Sequence, residues 1–222
     1  VPKKYYPTSE TYNLIRVRTM TRNNDSPTEK IKHFQHQLRN RYSDLEPIKY
    51  GLTLSLIQNG DYMEARKVIN ELITDDPDQF IFRYTSIELD IADQHFYKAK
   101  QKIEKLLTIR PTSYPLKLLN SKVLLKENRY ERAAKVLKGL SRERPYDPHL
   151  WYHLAEVSGL AGDISGVHLA RAEYFILVGA FDRAKQQFTH AAKLLRKNFK
   201  QSAIIQQRMQ DLMMIEKRVS NL

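Results

Sequence analysis

Two histidines four residues apart, His149 and His153, have the spacing in this sequence that most resembles a metal site. Side chains four residues apart share one face of a helix, and the motif His-Glu-x-x-His places two zinc ligands and a general base in this way. Here the residue after His149 is Leu150, so the general base is missing. Trp151 and Leu154 lie in the same turn and indicate a helix that packs into a core. We therefore predict that both histidines are structural or surface groups and not zinc ligands.

Other catalytic patterns are also missing from the sequence. The chain has no cysteine, which excludes a disulfide scaffold, thiol catalysis and thiolate metal sites. His33 and His36, three residues apart on a polar segment, are interpreted in the same way as the first pair. No Gly-rich phosphate loop, serine nucleophile elbow or pattern of paired carboxylates stands out. The sequence predicts that this chain is not an enzyme and holds no cofactor.

Positive charge is the most prominent compositional feature of the 222 residues. Lys and Arg number 37 against 25 Asp and Glu, which gives a net charge of +12. Residues 1–43 carry +6 and residues 114–222 carry +9, whereas residues 44–113 carry −3. The densest basic cluster consists of Lys193, Arg196, Lys197 and Lys200. Two interpretations stay open: solvated helix faces, or a docking surface for acidic proteins or lipid head groups.

A 34-residue repeat indicates which elements carry these side chains. Three columns recur at this interval: an aromatic residue, a small residue three positions later, and a proline. The columns are Tyr62, Phe96 and Tyr130; Ala65, Ala99 and Ala133; and Pro77, Pro111 and Pro145. The aromatic ring can wedge between two antiparallel helices, the alanine lets them approach closely, and the proline ends the pair. This is the pattern of the tetratricopeptide repeat, a helix-turn-helix unit of 34 residues.

The repeat divides most of the chain into units of antiparallel helix pairs. Three units span residues 46–79, 80–113 and 114–147, and a fourth begins at Asp147 and Pro148. The predicted fold is therefore an all-α tetratricopeptide-repeat solenoid.

The register slips by half a unit towards the C-terminus. The turn signature at Gly179 comes 51 residues after the one at Asn128, where 34 would be expected. An inserted helix from about Ile164 to Val178 accounts for the excess. A last helix over about residues 201–219 is predicted to cap the stack, because its apolar side chains would cover the final open face.

The N-terminal part follows the pattern less closely. Residues 1–8 are interpreted as a linker stub, residues 9–45 as a divergent helical hairpin, and residues 46–222 as one continuous repeat array with its cap. The hairpin would consist of a helix at residues 9–20 and a second from Pro27 to about Tyr42. Because the sequence begins with Val and not Met, and has no signal peptide, we expect the chain to be part of a longer protein. No window approaches eighteen consecutive apolar residues, so no transmembrane segment is predicted.

Eight positions are candidates for a groove that binds a partner. In a tetratricopeptide stack the first helix of each unit lines the concave face, at positions 5 and 9 of the unit. Position 5 holds Tyr50, Tyr84, Leu118 and Tyr152, and position 9 holds Leu54, Glu88, Lys122 and Glu156. The first set could hold a peptide by burial and stacking, and the second would add charge selectivity. Core packing is the alternative role for the tyrosines. A clamp for an acidic C-terminal peptide is excluded at these positions, because it needs Lys and Asn there.

Several longer segments match a known family more closely than a generic repeat does. The segments are residues 12–18, 34–38, 50–54 and 59–62 in the first half, and 151–156, 162–175 and 179–188 in the second. The most specific is Ala170-Arg-Ala-Glu-Tyr174, in the half-unit insertion. Over about residues 9–219 the chain resembles the C-terminal repeat domain of periplasmic zinc metalloproteases of the beta-barrel assembly-enhancing type.

This resemblance implies a protein-interaction module that docks substrates or assembly machinery. The parent would be a periplasmic metalloprotease and chaperone for outer-membrane protein assembly and quality control. Its partners would be outer-membrane protein clients, the assembly machinery and its own protease domain. Zinc and the catalytic glutamate would belong to that domain, whose His-Glu-x-x-His motif is not in this sequence.

Two alternative functions were weighed against this one. The first is a free-standing tetratricopeptide adaptor or scaffold with no protease attached. The second is a nucleic-acid-binding helical repeat, which the basic ends suggest. Such repeats read single bases with side chains in successive units, whereas these positions hold tyrosine, leucine and charges of both signs. We therefore predict protein or peptide partners, no nucleic acid, and a periplasmic location.

Overall fold

The computed structural model describes residues 9–23, 25–40 and 45–220. Within these ranges the chain forms twelve α-helices and no strand, which confirms the predicted all-α repeat fold. The helices are α1 (Ser9–Met20), α2 (Pro27–Arg39), α3 (Leu45–Asn59), α4 (Tyr62–Asp75), α5 (Phe80–Ala92), α6 (Phe96–Ile109), α7 (Tyr114–Lys126), α8 (Tyr130–Glu143), α9 (Pro148–Leu160), α10 (Ile164–Leu177), α11 (Phe181–Leu194) and α12 (Phe199–Ser220). The expected linker at residues 1–8 lies outside the described residues.

The helices form two compact units. Unit 1 extends to Ile109 and contains α1–α6, and unit 2 begins at Arg110 and contains α7–α12. Each unit has its own apolar core. The domain boundaries expected from the sequence, including one continuous repeat array over residues 46–222, stay predictions.

The small residues of the repeat are fully buried where the second helix of each pair packs into the core. Ala65, Ala99 and Ala133 have no exposed surface. The aromatic column, Tyr62, Phe96 and Tyr130, opens the second helix of each pair and is partly buried. Close contact between helices leaves no room for a larger side chain at the alanine positions.

The turn inside each helix pair uses a left-handed backbone conformation. The φ angles are +88° at Gly60, +58° at Gln94, +57° at Asn128 and +74° at Gly162. These four residues are spaced by 34 positions, so α9 and α10 keep the register of the three preceding pairs. Gly179, with φ of +75°, comes only half a unit later and leads into α11. Such angles suit glycine and asparagine best.

The inserted helix and the cap are both present. Helix α10 corresponds to the predicted insertion and packs against both α9 and α11. Its Ala170 and Ala172 are buried, and Asp163 caps its first turn by accepting a hydrogen bond from the Gly166 amide at 2.8 Å. Helix α12 buries Ile205 and Leu212 against the C-terminal core, as expected of a cap.

Helices α1 and α2 share a core with the first repeat. Leu14 of α1 and Ile31 of α2 are buried in the same cluster as the side chains of α3. Both helices pack against α3, and Gly51 of α3 lets the Phe34 ring of α2 lie directly on its backbone. The N-terminal helices are therefore an integral part of unit 1.

Candidate functional site

The eight predicted groove positions fall into two groups of four. Tyr50, Leu54, Tyr84 and Glu88 belong to α3 and α5 of unit 1. Leu118, Lys122, Tyr152 and Glu156 belong to α7 and α9 of unit 2. The environments of the two groups differ, because α1 covers the first group.

Tyr50 and Leu54 are core residues, not surface groups. Tyr50 has no exposed surface, and Leu54 is 9 % exposed. The Tyr50 ring lies 5.6 Å from the ring of Phe82, and its hydroxyl is 3.1 Å from Thr85 Oγ1. Of the two roles considered for these positions, packing therefore applies to Tyr50 and Leu54, because helix α1 closes over this part of α3.

Arg18 of α1 is the residue that joins the unit 1 positions. Its Nη1 atom donates a hydrogen bond to the Tyr50 hydroxyl at 2.8 Å, and Nη2 donates to both carboxylate oxygens of Glu88 at 2.6 Å. Its guanidinium carbon lies 5.2 Å from the centre of the Tyr84 ring, within cation–π range. Three of the predicted groove residues, Tyr50, Tyr84 and Glu88, therefore contact Arg18 of the same chain.

Sequence reasoning missed Arg18 because its partners lie far away along the chain. Glu88 is 70 positions from Arg18, and no repeat period connects them. The apolar pair Leu14 and Val17, three residues apart on α1, is a weak signal that this helix packs on another surface. The arrangement pairs the Glu88 carboxylate with a cation and covers part of the predicted groove positions of unit 1.

Burial of the two unit 1 tyrosines predicts a loss of stability at high pH. Burial, followed by the nearby Glu88 carboxylate, raises the pKa of Tyr84 to about 12. Burial also raises the pKa of Tyr50. An unfolded tyrosine ionises near pH 10. The folded state thus holds these protons more tightly, and the stability they contribute is present below about pH 10 and lost as the pH rises towards about 12. Urea unfolding followed by circular dichroism at increasing pH measures this loss.

Two tyrosine variants provide the control for the alkaline transition. Tyr84→Phe removes one of the ionising groups and should make the loss of stability between about pH 10 and about 12 smaller. Tyr97→Phe, at a position 72 % exposed, should leave the transition unchanged. Equal curves for the wild type and Tyr84→Phe would contradict the assignment.

Three of the four predicted positions in unit 2 are exposed to solvent. Tyr152 is 49 % exposed, Lys122 and Glu156 are exposed, and Leu118 is partly buried. The Tyr152 ring packs edge-on against Tyr174 of α10, with ring centres 5.7 Å apart. Tyr174 was not among the predicted site residues, although it lies within the segment that carries the family resemblance. The two rings form an aromatic pair, and Glu156 lies one turn further along α9 than Tyr152.

The histidines of α9 lie at the surface. His149 and His153 are both exposed, and His153 Nδ1 is 3.2 Å from Glu156 Oε2. In the described ranges, no three His, Asp or Glu side chains are grouped closely enough to hold a metal ion.

The fold is that of a tetratricopeptide-repeat solenoid, and comparison with known proteins agrees. A family model described as tetratricopeptide repeat matches residues 90–157. A solved tetratricopeptide repeat protein from Parabacteroides merdae superposes with a TM-score of 0.56 at 17 % identity, over 90 % of this chain and 83 % of that one. MamA from Desulfovibrio magneticus RS-1 gives a TM-score of 0.51 at 17 % identity, over 84 % of this chain and 97 % of that one. These structural likenesses show the fold.

Among curated proteins, the chain is similar to the beta-barrel assembly-enhancing protease of Escherichia coli K12. The two are 24 % identical over 172 residues, which are 77 % of this chain and 35 % of that protein. The protein of the same name from Shigella flexneri matches to the same extent. The chain therefore spans about a third of the length of the curated relatives it matches. None of the helices described here is long and apolar enough to cross a membrane.

Proposed function

We propose that this chain is the protein-interaction module of a periplasmic zinc metalloprotease and chaperone that acts in the assembly and quality control of outer-membrane β-barrel proteins. The observation that carries an interaction role is the aromatic pair of Tyr152 and Tyr174 on a tetratricopeptide scaffold. A pair of tyrosine rings, one half exposed and one partly buried, combines a large apolar area with polar hydroxyl groups, a combination enriched at protein interfaces.

The assignment to a protease that acts in outer-membrane assembly is supported by the similarity to the beta-barrel assembly-enhancing protease. The similarity covers 77 % of this chain, and the segment that resembles the family most specifically, residues 170–174, belongs to α10. Cleavage would belong to another part of the parent protein, because this sequence contains no His-Glu-x-x-His motif. The module would bring clients or assembly components to that catalytic part.

Replacement of Tyr152 by alanine tests the proposed surface. We expect the affinity for an unfolded outer-membrane β-barrel protein to fall roughly tenfold, because a contact aromatic at the centre of an interface supplies much of the binding energy. Helix content and the urea midpoint should change little, because the ring is half exposed. Fluorescence anisotropy with a labelled, urea-diluted β-barrel protein measures the affinity.

Tyr146→Ala is the matched control, because Tyr146 is 85 % exposed and lies in the turn before α9. It should bind like the wild type. Equal affinities for all three proteins would overturn the role of Tyr152. Equal binding of an unfolded protein that is not a β-barrel would overturn the assignment to outer-membrane assembly.

The protease part of the proposal is tested by the gene itself. A reading frame that encodes His-Glu-x-x-His upstream of this region supports it. A gene without that motif would favour the alternative, a free-standing tetratricopeptide adaptor.

A further inference from the structure

A second surface of unit 2 lies between α8, α9, α10 and α12. These helices enclose a groove of about 540 Å³, called the α8–α12 groove below. From α9 it is lined by Trp151, Leu154 and Ser158, which lie on the side of the helix opposite to Tyr152 and Glu156. The groove is therefore separate from the aromatic pair of the proposed function.

The floor of the groove is apolar and well fixed. It is lined by Trp151 and Leu154 from α9, by Leu169 from α10 and by Ile204 from α12. The indole Nε1 of Trp151 donates a 2.7 Å hydrogen bond to the Pro145 carbonyl, which holds the ring in place. Ile204 is 48 % exposed, so apolar surface is open to a partner.

The α8 wall of the groove is basic. Lys135, Lys138 and Arg142 follow one another at spacings of three and four residues, so they share one face of α8. All three are exposed, and none forms an ion pair with any residue that the structure describes. Their charge is therefore available to a ligand.

The other charges that line the groove are largely compensated. Arg208 on α12 binds Glu173 through two hydrogen bonds of 2.6 and 2.8 Å, and Asp211 through one of 3.0 Å. Asp163 is used as the cap of α10. Glu131 is exposed and lies one turn before Lys135 on α8, so it offsets part of the positive charge of this wall. Three cations against one carboxylate leave the α8 wall with a net positive charge beside the apolar floor.

We propose that the α8–α12 groove binds an amphipathic polypeptide segment that has an apolar face and acidic side chains beside it. The apolar face would cover Trp151 and Ile204, and the acidic side chains would pair with Lys135, Lys138 and Arg142. Docking of an amphipathic helix in an apolar groove is a common recognition mode. Because this surface and the Tyr152 surface lie on opposite sides of α9, the two partners can bind at the same time.

Trp151 provides a direct readout, because it is the only tryptophan in the chain. The probe is a Trp-free peptide of about 14 residues, or four helical turns, with leucines on one face and glutamates on the other. We expect a saturable blue shift of the Trp151 emission when the peptide binds. A peptide with the same leucines and lysine in place of each glutamate should give no shift at the same concentrations. Added salt should weaken binding of the acidic peptide.

Charge reversal tests the basic wall. Lys135→Glu together with Lys138→Glu should weaken binding of the acidic peptide by about tenfold or more, through lost attraction and new repulsion. The matched control is Lys193→Glu with Lys197→Glu, which makes the same change in net charge at exposed residues outside the groove. It should bind like the wild type. Ile204→Ser tests the floor independently and should also weaken binding.

Three outcomes would overturn the proposal. One is the absence of any emission shift with the acidic peptide, and another is an equal shift with the lysine peptide. The third is equal weakening in the two charge-reversal variants, which would show a general charge effect. If the first outcome is seen and vesicles containing phosphatidylglycerol do shift the emission, the groove is a lipid surface. Circular dichroism of each variant checks that it is folded.

Discussion

Replacement of Arg18 by alanine is expected to lower the free energy of unfolding of unit 1 by about 3 kcal/mol. The guanidinium joins α1 to α3 and α5, and its side chain is only 18 % exposed. Its removal leaves the Glu88 carboxylate without its cation in a partly buried site. It also leaves the Tyr50 hydroxyl with Thr85 as its remaining partner. The cost is therefore larger than that of losing a surface ion pair.

The effect of Arg18→Ala can be localised within the full chain. Hydrogen exchange followed by mass spectrometry should show faster exchange in α1, α3 and α5. The Trp151 emission, which reports on unit 2, should keep its urea midpoint. Arg16→Ala is the matched control, because Arg16 lies on the same helix, is exposed and forms no ion pair with a described residue. Equal destabilisation by both variants would show that the network around Arg18 contributes no more than an exposed arginine.

A double-mutant cycle separates the ion pair from other effects of the substitution. Glu88→Gln removes the charge that Arg18→Ala leaves unpaired. The double variant should therefore be less destabilised than the sum of the two single variants. If the destabilisation of the double variant equals the sum of those of the two single variants, Arg18 acts through its aliphatic chain and not through Glu88.

The repeat pattern was sufficient to predict the fold, because each of its columns reports a local packing rule. The alanine column identified fully buried positions, and the spacing between Asn128 and Gly179 predicted the inserted helix to within one residue of α10. The left-handed φ angles at Gln94 and Asn128 were not predicted. Neither residue is glycine, and their conformation follows from their equivalence to Gly60 and Gly162.

The surface was harder to predict than the fold. Tyr50 and Tyr152 occupy the same position in their repeats, yet one is buried and the other is half exposed. Periodicity specifies which face of a helix a residue occupies, but it does not show what covers that face. In unit 1 the cover is α1, which lies outside the 34-residue pattern.

The α8–α12 groove was missed for a related reason. Sequence reasoning considered only the first helix of each repeat, whereas the groove draws on α8, α10 and α12. The basic cluster that the sequence analysis named, at 193–200, does not include Lys135, Lys138 and Arg142, which are less dense along the chain. Their importance depends on the apolar floor beside them.

Replacement of Arg66 by alanine is the second substitution with a large expected effect, about 2–3 kcal/mol on the stability of unit 1. Asp90 on α5 is a charged side chain with no exposed surface. Its Oδ1 atom pairs with Arg66 Nη1 of α4 at 2.5 Å, and its Oδ2 atom lies 2.6 Å from Lys102 Nζ of α6. A buried carboxylate requires a nearby cation, and this one is shared among three helices. Without Arg66, Asp90 would depend on Lys102, whose side chain is 40 % exposed and partly solvated.

The salt dependence of unfolding distinguishes this buried cluster from surface ion pairs. Lys67→Ala is the control, because its partner Glu64 is on the same helix and both side chains are more than half exposed. That variant should lose less than about 0.5 kcal/mol, and added salt should reduce the loss further. The loss in Arg66→Ala should persist in high salt, because solvent ions do not reach Asp90. Restoration of stability by Arg66→Ala together with Asp90→Asn would confirm that the unpaired charge is the cause. If Arg66→Ala behaves like Lys67→Ala, Lys102 alone neutralises Asp90, and Arg66 acts mainly through its 2.8 Å contact with Asp93.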